Sequence, residues 1–137
     1  MRELFAKSDI ITIHSALTNE NFHAFDKKTF NKMKKGSIII NCARGALVDT
    51  SDLLDAIDDG KIAFAGLDVY ENEKNINGKK NPTYDDEIFD RQLANDRVDY
   101  YPHISYLTNT SLENQTKYAL DSVVDVLKYG NSKNRIN

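Results

Sequence analysis

The order of elements in the sequence predicts an α/β fold built on a parallel sheet. Three observations carry that prediction. Strand-sized apolar runs recur at residues 9–14 (DIITIH), 37–41 (SIIIN) and 62–69; segments with helical spacing separate them; and the connections are short. Such alternation is the mark of right-handed βαβ units, and runs without polar alternation are expected where helices cover both faces of the sheet.

Residues 3–8 read as the last turn of a helix, so the chain is expected to open within one, and 9–14 as the first strand. After the polar stretch 15–21, Asp26 is a plausible N-cap for KKTFNKMKK, in which Phe30 and Met33 share a face; that helix is expected to end at Gly36. The second strand, 37–41, leads into a loop at 42–49. Thr50 or Ser51 is expected to cap DLLDAIDDG, with Leu53, Leu54 and Ile57 inward and Gly60 as the stop. A third strand spans 62–69. From Asn72 to Arg97 the chain turns polar, Asn-Gly and Asn-Pro steps mark turns, and Ile88, Phe89 and Leu93 suggest a short helix. A brief strand at 97–101 precedes Pro102 and His103. Leu112, Tyr118, Leu120, Val123, Val124 and Leu127 then follow helical spacing from Ser111 to Tyr129, before Gly130.

Composition narrows the function. The 137 residues suit one domain; 18 basic and 21 acidic side chains give a net charge of −3, which supplies no broad positive field for a nucleic-acid partner. No run approaches the roughly 20 apolar residues of a membrane-spanning helix, so no membrane partner is expected. The one cysteine, Cys42, forms no internal disulfide, and three histidines without cysteine partners make no zinc pattern. A cytoplasmic location follows as the expectation. The lysines at 27, 28, 32, 34 and 35 read as a solvated helix face rather than a phosphate site.

In an open parallel sheet, ligands collect beyond the carboxyl ends of the strands. Four residues fall there: His14 after the first strand, Arg44 shortly after the second, Asp68 at the end of the third and His103 after the last. Singly each has a plain structural explanation, as an ion pair, a cap or a packed imidazole. Independent structural roles give no reason for all four to gather at one rim.

The segment MKKGSIIINCARGALVD (33–49), together with DVYENE (68–73) and YPH (101–103), resembles the ordered motifs of the D-isomer-specific 2-hydroxyacid dehydrogenases. Within that family the chain is most similar to the members that interconvert pyruvate and D-lactate. The resemblance implies a partial Rossmann-type, doubly wound sheet at 1–109, the second half of an NAD-binding domain. It further implies a C-terminal helix and tail at 110–137 that returns to a substrate domain. The likeness is to the carboxyl-terminal portion of a relative. None of the six glycines makes the G-x-G-x-x-G cradle for a pyrophosphate, so NAD rather than NADP rests on the family.

For the reduction of a 2-keto acid, the resemblance gives Arg44 the substrate carboxylate and His103 the proton. Glu73 would orient His103, with Glu71 an alternative that spacing alone does not separate from it. Chemically the assignment is apt, because a guanidinium grips a carboxylate bidentately and an imidazole titrates near neutrality. The same likeness places Asp68 against the nicotinamide carboxamide, and Ser15, Ala16, Asn21, Cys42, Ala43 and Arg44 along the cofactor. Cys42 as a nucleophile is the competing reading, with no histidine adjacent in sequence. For His14, a cofactor-side role and a structural one both stand. Three departures matter: Ser15-Ala16 replaces the usual x-Pro after the first strand, Tyr101 precedes Pro102 where a small threonine is common, and the segment between Asn75 and Asp96 matches poorly; Tyr106 falls where the resemblance expects an aromatic ring to help shape the pocket.

Two functions follow. One is an NAD-dependent oxidoreductase of small 2-keto and 2-hydroxy acids, acting as a homodimer or in association with the missing half. The other is a non-catalytic remnant or interaction module that lacks the pyrophosphate loop and persists by pairing through an exposed sheet edge.

Overall fold

The computed structural model describes residues 2–73 and 86–135. The elements run α1 (Arg2–Lys7), β1 (Ile10–Ile13), α2 (Lys27–Lys32), β2 (Ser37–Asn41), a 3₁₀ turn (Gly45–Leu47), α3 (Thr50–Asp58), β3 (Ile62–Leu67), α4 (Glu87–Ala94), β4 (Val98–Tyr100) and α5 (Asn109–Tyr129). The four strands pair in parallel in the order β1-β2-β3-β4, as the alternation of elements predicts. The expected Asn-Gly and Asn-Pro turns lie outside the described residues.

The sheet is covered on one face more fully than on the other, a correction to the expectation of two covered faces. Ile11, Ile13, Ile39, Ala65 and Leu67 enter a core with Phe30 and Met33 from the α2 segment, Leu53 and Ile57 of α3, and Leu47 and Val48. On the opposite face Ile10 is 56% exposed, and Ile38, Ile40 and Phe64 are half-buried. The strand order explains this: it runs in sequence without a reversal, so right-handed crossovers set their helices on a single side. An isoleucine-rich strand was legible; which of its faces would be packed was not.

Helix ends shift from the expected positions for local reasons. Asp49, not Thr50 or Ser51, caps α3: its Oδ1 accepts from the Asp52 backbone N–H at 3.0 Å, and Thr50 is already the first helical residue. The cap at Asp26 is as expected, its Oδ1 accepting from Thr29 N–H at 2.9 Å. Helix α2 stops at Lys32; Gly36, at φ +77°, instead turns the chain into β2. Strand β3 ends at Leu67, so Asp68 lies just beyond it. Capping of α4 falls to Asp86, which also accepts from the Tyr70 hydroxyl at 2.6 Å. Burial and then Asp86 push the Tyr70 phenol well above its ordinary value. Burial raises Asp86 as well, but the bonds from Tyr70, Phe89 and Asn72 outweigh it and leave the carboxyl below its usual range.

The chain divides into two compact units, Met1–His103 and Ile104–Asn137. The second is dominated by α5, whose N-cap is Thr108 and whose end is closed by Gly130 at φ +70°. No residue of α5 is buried, so the apolar stripe that its spacing predicts lies exposed. Among the described residues, no helix is long and apolar enough to cross a membrane, and no cluster of three metal-ligating side chains occurs.

Candidate functional site

The strand register builds the rim. Ile13 pairs with Asn41, Asn41 with Leu67 and Leu67 with Tyr100, so the last residues of all four strands form one row across the sheet. His14, Cys42, Asp68 and Tyr101 therefore start the next row, and every side chain singled out at the strand ends lies on this edge or one loop away.

Asn41 shapes the loop that follows β2. Its buried side chain accepts from Ala43 N–H at 3.0 Å and donates to the Arg44 carbonyl at 2.9 Å, which folds 41–44 into a tight turn. Sequence reasoning gave Asn41 no such role, although an Asn at a strand end is the residue type for it. Arg44, left at the tip, is exposed and extended; its Nη1 donates to the Ala43 carbonyl at 2.6 Å, and among the described residues the guanidinium makes no ion pair.

Gly45 is required by a close approach. A Cβ there would sit 2.0 Å from the Tyr70 carbonyl carbon and 2.3 Å from the Glu71 nitrogen, so only glycine lets the 68–73 loop cross over the Arg44 turn. That crossing brings Glu73 to Arg44. His14, Ser15, Ala16, Leu17, Cys42, Ala43, Arg44 and Glu73 line one open cavity of about 690 Å³.

His103 reaches the site through its backbone. It occupies the left-handed region at φ +58°, and its N–H donates to the Asp68 carbonyl at 2.8 Å and the Tyr101 carbonyl at 2.9 Å. This conformation is uncommon for a residue other than glycine and is held only where the surroundings over-determine it. The imidazole Nδ1 then stands 3.4 Å from Glu73 Oε2, an ion-pair distance rather than an aligned hydrogen bond. Glu71 points elsewhere, to His23 Nε2 at 2.8 Å. The geometry thus separates the two glutamates that spacing left open.

The remaining candidates are placed as follows. Ser15, Ala16, Cys42 and Ala43 line the cavity with Arg44. Asn21 does not line it; its amide ties its own loop, donating to the Ala16 carbonyl and accepting from Thr18 N–H, both at 2.7 Å. Asp68 is buried, with its N–H donating to the Asn41 carbonyl at 2.9 Å, so its backbone joins β2 to His103. The exposed Tyr106 belongs to the second unit. The small side chains of Ala16, Cys42 and Ala43 leave room for a flat ring beside Arg44, which fits the nicotinamide end of a dinucleotide; no glycine-rich cradle for the pyrophosphate is present in the sequence.

The family described as D-isomer specific 2-hydroxyacid dehydrogenase, NAD binding domain, matches residues 1–105. A D-lactate dehydrogenase of Streptococcus pyogenes is 36% identical over 142 residues, covering 100% of this chain and 42% of the relative. Among solved structures, a D-lactate dehydrogenase of Treponema pallidum superposes with a TM-score of 0.85 at 39% identity over 96% of this chain and 40% of that one. A D-isomer specific 2-hydroxyacid dehydrogenase of Lactobacillus delbrueckii ssp. bulgaricus, solved in its NAD-complexed form, reaches a TM-score of 0.90 at 31% identity over 100% of this chain and 42% of that one. The chain therefore spans about 42% of the length of these relatives.

Proposed function

Because the chain belongs to the D-isomer specific 2-hydroxyacid dehydrogenases, we propose that it carries the catalytic edge of an NAD-dependent D-lactate dehydrogenase, reducing pyruvate to D-lactate reversibly. The observation that carries this reading is one cavity lined by Arg44, which makes no ion pair among the described residues, and by Glu73, behind which His103 stands with Nδ1 3.4 Å from the Glu73 carboxylate.

Keto-acid reduction needs a clamp for the carboxylate, a proton for the developing alkoxide, and a hydride donor beside the carbonyl carbon. Arg44 is suited to the clamp because its donors are not committed to a carboxylate among the described residues; two can take the substrate carboxylate and a further N–H can polarise the keto oxygen. Glu73, facing His103 Nδ1, favours the tautomer with its proton on that nitrogen. In the charged imidazolium, Nε2–H is then the proton delivered to the keto oxygen, and in the reverse direction Nε2 takes it back. Their 3.4 Å separation can tighten when substrate fills the cavity. NAD, when bound in its reduced form, supplies the hydride. Ala16, Cys42 and Ala43 would flank its ring, and Asp68 would face the carboxamide. Cys42 lines the same cavity and is read as part of its wall.

The cytoplasmic location and a homodimeric assembly belong to the same proposal. A second reading, an interaction module without catalysis, is favoured by the half-open apolar sheet face around Ile10. Reduction of pyruvate by NADH, followed through the cofactor's absorbance with the polypeptide that carries this chain, decides between them. Turnover lost in His103→Ala supports the dehydrogenase; turnover that survives the substitution removes the proton assignment, and no turnover in the unaltered protein supports the module.

A further inference from the structure

His23 and His103 are the two residues other than glycine with positive φ among the described residues, at +49° and +58°. Each meets a glutamate of the same short loop: His23 Nε2 lies 2.8 Å from Glu71 Oε2, and His103 Nδ1 lies 3.4 Å from Glu73 Oε2. Neither of these histidines lines the cavity, but Glu73, the partner of the second, does. Resting on the dehydrogenase reading, we propose that His23 is a positioning residue for the reducing site, gripping Glu71 and Asp49 together so that the 70–73 turn sets Glu73 against His103.

The clamp is closed on every side. The backbone of His23 is fixed by its N–H to the Ala46 carbonyl at 2.9 Å, and the ring of Phe22 stacks on its imidazole at 4.0 Å and 20°. Nδ1 stands 3.2 Å from Asp49 Oδ2, while the other oxygen of Asp49 caps α3. Glu71 Oε1 accepts from Thr50 N–H at 3.4 Å, so α3 holds the same carboxylate from a second direction. From Glu71 the constraint passes along the turn itself, where Glu73 N–H donates to the Tyr70 carbonyl at 3.2 Å. Glu73 cannot swing while Tyr70 is pressed on Gly45 and Glu71 is gripped. A left-handed backbone at His23 is what lets the ring reach two carboxylates on different segments, and such strain persists where the surroundings hold it in place. A bare stabilising pair would show no need to share a loop with the proton-carrying histidine's partner.

The test uses the 137-residue chain and imidazole ¹⁵N spectra, recorded where His103 is neutral. The unaltered chain is expected to show His103 as a single tautomer with its proton on Nδ1, the nitrogen facing Glu73. His23→Asn tolerates positive φ and reaches toward Asp49, but its amide stops short of Glu71. His23→Gln extends to the Nε2 position and keeps the Glu71 contact. The expected result is loss of the single-tautomer signal in His23→Asn and its retention in His23→Gln, with circular dichroism unchanged in both. In an active preparation kcat falls roughly tenfold in His23→Asn while KM for the keto acid stays within about twofold.

An unchanged His103 spectrum in a folded His23→Asn chain overturns the proposal, as does equal loss in both variants or a mixed tautomer in the unaltered chain. If His23→Asn does not fold, Glu71→Gln weakens the same grip from the loop side and must disturb His103 in the same way. The spectra need neither cofactor nor substrate. A chain that shows the coupling yet reduces no keto acid therefore contradicts the dehydrogenase reading and leaves the clamp standing.

Discussion

Arg91 donates from Nη2 to Asp55 at 2.8 Å and to Asp58 at 2.7 Å, whereas Arg44, also an exposed arginine, donates among the described residues to nothing but the carbonyl beside it. Arg97 adds to the first cluster, through Asp58 at 3.3 Å and the Ile57 carbonyl at 2.6 Å. There the charges are matched, and Arg91 and then Arg97 hold the Asp58 carboxyl below its usual range; the group ties α4 and the start of β4 to α3. At the rim, a guanidinium unmatched among the described residues stands by a cavity with its loop fixed from below by Asn41. Identical chemistry thus builds scaffold where its partners come from the chain, and a binding place where the partner is left to be supplied.

That contrast is broken most severely at Arg44. Arg44→Ala is expected to lower keto-acid turnover by roughly 10²–10³-fold, the range for losing a donor that stabilises developing negative charge. Its thermal stability should stay within about 0.5 kcal/mol of the unaltered chain. Steady-state kinetics beside a melting curve checks both. Next comes Gly45→Ala, whose Cβ would strike the Tyr70 carbonyl; denaturant titration should show a loss of about 1–3 kcal/mol. Turnover should fall with it, because the displaced loop carries Glu73.

Arg91→Ala should do the opposite of Arg44→Ala, costing less than about 1 kcal/mol, since its side chain is 40% exposed, and leaving turnover unchanged. The smallest effect is the response to pH. Asp58 and Asp86 have lowered carboxyl values in the fold, so their contribution is present above the ordinary aspartate value near 3.8 and is lost as pH falls through their folded values. Tyr70 is raised, so its contribution is present below pH 10 and is lost as pH climbs beyond it. Melting temperatures across acid and alkaline buffers should therefore decline at both ends, the alkaline decline disappearing in Tyr70→Phe.

Much of this was readable in the residues. The strands SIIIN and DIITIH, the helix over DLLDAIDDG and the rim placement of Arg44 and His103 follow from apolar period and from the rule that parallel strands present their carboxyl ends together. What was not readable depends on contacts distant in sequence. Asp49 displaced Thr50 as the α3 cap, a choice between adjacent residues that propensity does not make. The separation of Glu71 from Glu73 needed His23, 48 residues before Glu71 and without any motif of its own. The need for glycine at 45 came from Tyr70 crossing above it, which no local pattern announces. The one-sided sheet followed from strand order, which a list of apolar runs does not contain.

The most direct measurement is a titration with oxamate, an unreactive isostere of pyruvate, into the polypeptide carrying this chain and saturated with NADH, observing the Arg44 guanidinium and His103 imidazole ¹⁵N resonances together. Both should move along one binding curve, and the His103 response should vanish in Arg44→Ala. Oxamate that binds without moving either group, or that moves them along separate curves, would contradict a single keto-acid site at this edge of the sheet.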